Sequence, residues 1–129
     1  MTAAAAIGLC VSVDAGATWT VEHAGLHASY CSAVAFSGDD ILVSAATDHF
    51  ATKGAVYRRP LDAGDPLVHL GGALPRWLDG IADTGCIATR ASALAIADKA
   101  GNVYVSTDGG RTWDRLADGL PPTSSVLIV

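Results

Sequence analysis

The sequence predicts an all-β repeat protein, and three observations predict it. Apolar runs of about five to seven residues, partly β-branched or aromatic, are bounded by Gly, Asp, Pro and Ser, which is how strands are punctuated. The stretch 91–97 alternates at period two, and stretches of helical period are nearly absent. Finally, residues 11–19 recur 94 residues later as 105–113, so that Ser12, Asp14, Gly16, Thr18 and Trp19 fall on Ser106, Asp108, Gly110, Thr112 and Trp113.

The repetition extends beyond the motif. Gly25-Leu26 matches Gly119-Leu120, and with one gap 32–36 falls on 125–129. At half the spacing, 47 residues, Gly54-Ala55-Val56-Tyr57 stands against Gly101-Asn102-Val103-Tyr104, which marks a degenerate middle copy. Four strands are expected in the third copy (86–90, 93–97, 102–106, 112–116) and four in the middle one (32–36, 41–45, 55–59, 66–70). The first copy supplies 9–13 and 18–22, preceded by a short strand at 2–6. A period of 40 to 50 residues carrying four short antiparallel strands is a β-propeller blade.

The repeated Ser-x-Asp-x-Gly-x-Thr-Trp resembles the Asp-box, or BNR repeat, of sialidase-like, photosystem assembly factor-like and sortilin-like propellers. The resemblance implies that the box is the turn between the third and fourth strands of a blade. The residue chemistry suits that place: Asp14 or Asp108 can accept hydrogen bonds from turn N–H groups, and Gly16 or Gly110 can take a positive φ. Thr18 and Thr112 then open the next strand, and Trp19 and Trp113 are expected to fill the wedge between blades, burying roughly 150–250 Å² each. A structural role follows, since one carboxylate is far short of the six to eight oxygens that calcium takes, and a catalytic centre does not occur twice. The middle copy has 58–66 at the equivalent turn, without the Trp, and is expected to turn by other hydrogen bonds.

Residues 1–129 therefore read as a single domain of about three blades. In this reading 125–129 is a first strand that completes the N-terminal copy. Propellers typically have four to eight blades, so three wedge-shaped sheets leave the ring open. Both a piece of a longer propeller and a homodimer completing a six-blade ring satisfy this.

Composition narrows the function classes. Half the residues are hydrophobic and 16% are charged, which excludes disorder for most of the chain. With a net charge of −5 and no basic cluster beyond Arg58-Arg59, nucleic acid is not expected as a partner. No run of 18 apolar residues suggests a membrane span, and the start lacks the basic region of a leader, so a cytoplasmic location is the default. Cys10, Cys31 and Cys86 lie in apolar runs without C-x-x-C spacing and are expected to be inert thiols. No metal or cofactor is expected.

In an up-and-down meander the two boxes mark one face, and the departures from the repeat, at 48–54 and 75–85, fall on the other. These loops offer His49, Phe50, Lys53, Arg76, Trp77, Asp79 and Asp83 as candidate ligand-binding residues. Trp77 can stack on a sugar or a side chain, Arg76 can hold a carboxylate, and Asp79 or Asp83 can accept hydroxyl protons. The histidines, His23, His27, His49 and His69, have no ligand-pair spacing.

Two functions are expected in order. The first is a binding or assembly scaffold that presents one loop face to a protein or a glycan. The alternative is a sialidase-like glycoside hydrolase, for which the resemblance implies an arginine triad, a tyrosine nucleophile with a supporting Glu, and an Asp acid. The chain has one Glu, Glu22, inside an expected strand, and two of its three tyrosines, Tyr57 and Tyr104, are repeat positions. No catalytic residue is assigned.

Overall fold

A computed structural model describes residues 1–62 and 64–129. The described strands form three antiparallel sheets. The first blade is β1 (Thr2–Ala5), β2 (Gly8–Val11) and β3 (Thr20–Glu22), in that order across the sheet. The middle blade is the meander β4 (Tyr30–Ser37), β5 (Asp40–Ala46), β6 (Lys53–Pro60) and β7 (Val68–His69), with β8 (Leu78–Asp79) also pairing on β6. The third is β9 (Ile87–Arg90), β10 (Ala93–Ala97), β11 (Val103–Ser106) and β12 (Asp114–Ala117). β4 lies against β1 on one side and β9 on the other, so the blades follow one another in chain order. No helix among the described residues is long and apolar enough to cross a membrane.

The two-residue period of the strands explains how the blades stick together. In the middle blade Ile41, Val43, Ala45, Ala55 and Tyr57 join Leu9, Val11 and Leu67 in one buried cluster shared with the first blade. The intervening Leu42 and Val56 join Leu70, Leu94, Ile96 and Trp113 in a second cluster shared with the third. Both faces of β5 and of 54–57 in β6 are thus buried, and these stretches carry no charged residue past Asp40.

The same alternation aims the two adjacent arginines in opposite directions. Arg58 pairs with Asp40 within its own sheet and donates to the Gly109 carbonyl of the third blade at 2.9 Å. Arg59, buried, pairs with Glu22 of the first blade. The basic pair is therefore structural, and the chain's one Glu is its partner.

Four expectations need correction. Residues 121–129 form no strand, and the tail does not complete the first blade. It runs instead beside the start of the third, where Val126 N–H donates to the Gly85 carbonyl at 2.9 Å. The reason is positional: β1 and the tail flank opposite ends of the row of blades, with β4 and β9 between them. The expected strand 66–70 is regular only at Val68–His69, although Leu70 N–H continues the ladder to Val56 O. The stretch 75–85, read as a connection, returns to the sheet as β8, whose Gly54↔Leu78 pairing gives the middle blade an outer strand in two pieces. Fourth, Trp19 does not fill a wedge. It is 44% exposed, whereas Trp113 is 7% exposed.

Candidate functional site

The chain's turns segregate as a meander requires. The 106–113 turn sits beside the β9–β10 turn, with Gly109 N–H donating to Ser92 O at 2.8 Å and Ser92 Oγ to Thr107 O at 3.0 Å. In both boxes the carboxylate organises the turn by the same bonds. Asp14 Oδ1 accepts from Thr18 N–H at 2.8 Å and Oδ2 from the Thr18 hydroxyl at 2.6 Å; Asp108 takes the same two bonds from Thr112 at 2.9 and 2.7 Å. Ser12 and Ser106 donate to these carboxylates and accept from Gly16 and Gly110 N–H. The threonine bonds, followed by the serine, hold the Asp14 carboxyl at a pKa of about 2, and Asp108 lies lower still. The turns are exposed, so the donors they satisfy are not buried as a core turn would bury them. At the equivalent middle turn, Leu61 N–H donates to Asp39 O at 2.7 Å, and Ala63 lies outside the described residues.

The opposite face gathers the β5–β6 loop, Trp77 and the β10–β11 turn. A depression of about 310 Å³ is lined by His27, Thr47, Ala51, Thr52, Lys53 and Trp77. The Arg76 guanidinium lies over the Trp77 ring, 4.8 Å from its centroid, and 5.7 Å from that of the buried Tyr57. Neither the Arg76 nor the Lys53 side chain makes a hydrogen bond or ion pair among the described residues. His49 and the 85% exposed Phe50 meet edge to face, and Lys99 Nζ reaches His49 Nε2 at 3.4 Å and the Phe50 ring at 5.8 Å.

The acids contribute differently. Asp79 pairs in register with Lys53 along β8 and β6, and its carboxylate accepts from Asn102 Nδ2 at 3.2 Å. Asp83 accepts from the next backbone N–H, Thr84, at 2.8 Å, and so shapes its own turn. Five of the seven expected residues, His49, Phe50, Lys53, Arg76 and Trp77, thus bring charged and aromatic groups to one loop face. Asp79 joins them at the edge, while Asp83 points into its loop.

Sequence reasoning missed what lies beneath. Tyr57 OH is 2.6 Å from His27 Nδ1, and His69 meets the Tyr57 ring edge to face. His27 also packs its edge against Trp77, 4.7 Å between centroids. Burial, and then the nearby Arg76 charge, lowers the pKa of both His27 and His69, which favours the neutral ring in each. The signal was Tyr57 itself, a large polar-tipped ring whose hydroxyl must find a partner once buried. The neighbouring β10–β11 turn is held by Asp98, fully buried, which accepts from Asp79, Ala100 and Asn102 N–H at 3.0–3.1 Å. Among the described residues no group of three His, Cys, Asp or Glu is placed to hold a metal ion.

No family model and no curated protein matches the sequence. The fold is similar to a solved chain described as YCF48 bound to D1 peptide, with a TM-score of 0.58 and 19% identity over 88% of this chain and 34% of that one. That chain is a propeller. The blades are propeller blades. At this identity the likeness is one of fold, and this chain spans about a third of that chain's length.

Proposed function

We propose that this protein is a propeller scaffold of the Asp-box type that holds a peptide segment of a protein partner on its loop face, with a carboxylate of that segment against Arg76. The observation that carries the reading is the Arg76 guanidinium, stacked on Trp77 and without an anionic partner among the described residues. Stacking holds the guanidinium plane in one orientation, and a planar fork of donors matches a carboxylate in two parallel bonds. Trp77 supplies apolar surface and Lys53 a second cation, and the exposed Phe50 and the His49–Lys99 contact extend this face along the β5–β6 loop. A peptide bound by the fold neighbour supports this choice by analogy alone.

The test is a panel of fluorescent peptides, each with a free C-terminal carboxylate and again as the amide, titrated by polarisation. Binding that prefers the acid and falls at least about tenfold in Arg76→Ala supports the reading; tenfold is 1.4 kcal/mol. A bound carboxylate also neutralises Arg76, so the His27 and His69 pKa values should rise on binding, as seen by NMR titration. Failure of every acid peptide to bind, or binding indifferent to Arg76, overturns it. Sialylated glycans titrated in parallel, if they alone bind at Arg76 and Trp77, replace the peptide by a glycan.

A further inference from the structure

A buried phenol must find an acceptor for its own proton, and Tyr57 has one candidate. The residue is 1% exposed, and among the described residues its hydroxyl is hydrogen-bonded only to His27, to the backbone N–H at 3.3 Å and to Nδ1 at 2.6 Å. The backbone N–H can only donate, so it takes a lone pair of the phenol oxygen. The phenol proton is then satisfied only where Nδ1 accepts it. A proton on Nδ1 would leave the Tyr57 O–H unpaired where water does not reach, with the full penalty of an unsatisfied buried donor.

The consequence is a donor fixed in place. An imidazole whose Nδ1 accepts is neutral and carries its proton on Nε2. The two ring nitrogens point in widely different directions, so with Nδ1 turned onto the buried phenol, Nε2–H is turned outward. His27 is exposed and lines the depression beside Trp77, and its Nε2 makes no hydrogen bond among the described residues. Arg76 converges on the same indole: its guanidinium lies over the Trp77 ring, and the His27 ring meets that ring at 77°. Thr47, Thr52 and Lys53 add hydroxyl and ammonium donors to the lining, which includes no acid. Asp79, in register with Lys53, stays outside it and is engaged by Asn102.

We infer that His27 is a second ligand of the carboxylate that docks on this face, giving it the Nε2–H beside the Arg76 fork, and that Tyr57 is the positioning residue that holds His27 in this tautomer. This deepens the proposed function and rests on it for the identity of the partner; the carboxylate seat itself does not require a peptide. A neutral His27 adds a bond without placing a second positive charge beside Arg76, so the two donors do not repel one another in the free protein. Together they select a carboxylate over an amide. The amide offers one acceptor oxygen, and its NH2 group would meet a donor.

NMR of the imidazole nitrogens in the free protein at neutral pH should show His27 protonated on Nε2. Tyr57→Phe keeps the ring and removes the O–H donor, so the neutral imidazole loses its bond and the His27 pKa should rise. Sodium acetate, titrated against sodium chloride at equal ionic strength, should shift the His27 Nε2 and Trp77 indole resonances to saturation, and should shift neither in Arg76→Ala. With the acid peptides, His27→Ala should weaken binding about tenfold, as expected for one hydrogen bond to a charged group, and leave the amides unchanged. His27→Gln, which restores an N–H without the ring, should recover most of that loss. A proton on Nδ1, acetate that leaves His27 unmoved, His27→Ala binding acid peptides as the parent does, or His27→Gln as weak as His27→Ala each overturns the inference. Acetate seated at His27 with no peptide bound supports the seat and removes the peptide partner. An acid peptide that needs Arg76 and not His27 keeps the partner and overturns the second ligand.

Discussion

The first and third blades carry the same turn, and the difference between them shows what the turn does by itself. Serine, aspartate, glycine and threonine make matching bonds in both copies, and each tryptophan donates its Nε1–H to the glycine carbonyl of its own turn at 3.1 Å. Yet only Trp113 is buried. The motif therefore fixes the ring's direction locally, and burial comes from the neighbouring blade. Local hydrogen bonding and long-range packing are separable here, residue by residue.

Substitutions can sharpen that separation. Trp113→Ala should cost about 3–5 kcal/mol, the range for truncating a large core side chain, whereas Trp19→Ala should cost about 1 kcal/mol or less in the protomer; urea denaturation of both measures the gap. Equal losses would mean that the preceding blade adds nothing to Trp113. A smaller effect is expected at the arginine that ties the first blade to the middle one. Arg59→Ala leaves Glu22, whose side chain is 35% exposed, able to reach water, so the loss should be on the order of 1–3 kcal/mol.

Acid should act on both turns at once. The Asp14 and Asp108 carboxyls titrate below their ordinary 3.8 in the folded chain. The unfolded chain thus binds more protons in this range, and stability rises with pH. What these groups contribute is present above about pH 4 and lost as pH falls toward 2, the Asp14 window, and below it for Asp108. Melting temperature followed from pH 5 to 2 should fall, and less steeply in the Asp14→Asn, Asp108→Asn double variant. The smallest effect is expected at Ala15, which holds φ +58° where the third blade has Gly109 at +76°. Ala15→Gly should stabilise by about 0.5–1 kcal/mol, since a side chain is disfavoured there, and the same denaturation series reads it.

The repeat made the fold legible before any coordinates: Tyr57 and Tyr104, 47 residues apart, do occupy matching places, since Val43↔Tyr57 and Ile96↔Tyr104 pair alike. Loop 48–53 and Arg76-Trp77 were legible as departures from that period. The histidines under the site were not, because His69 meets Tyr57 only through the β6–β7 register, and His27 comes from the connection before β4. Nor was the fate of 125–129 legible. Its β-prone residues state what it can pair with, but only the arrangement of blades decides whether the partner edge is within reach. Cys31 illustrates the easier case, where burial pushes the thiol pKa up to about 11, as its apolar run suggests.

The divided outer strand of the middle blade has a thermodynamic consequence. The segment carrying Arg76 and Trp77 is tied to β6 at both ends, at Val56 by Leu70 and at Gly54 by Leu78. A short tether closed on one rigid strand has already surrendered most of its chain entropy during folding. Whatever docks against it meets a surface set in advance, so little of the interaction is spent on ordering the receptor and more of it remains as affinity.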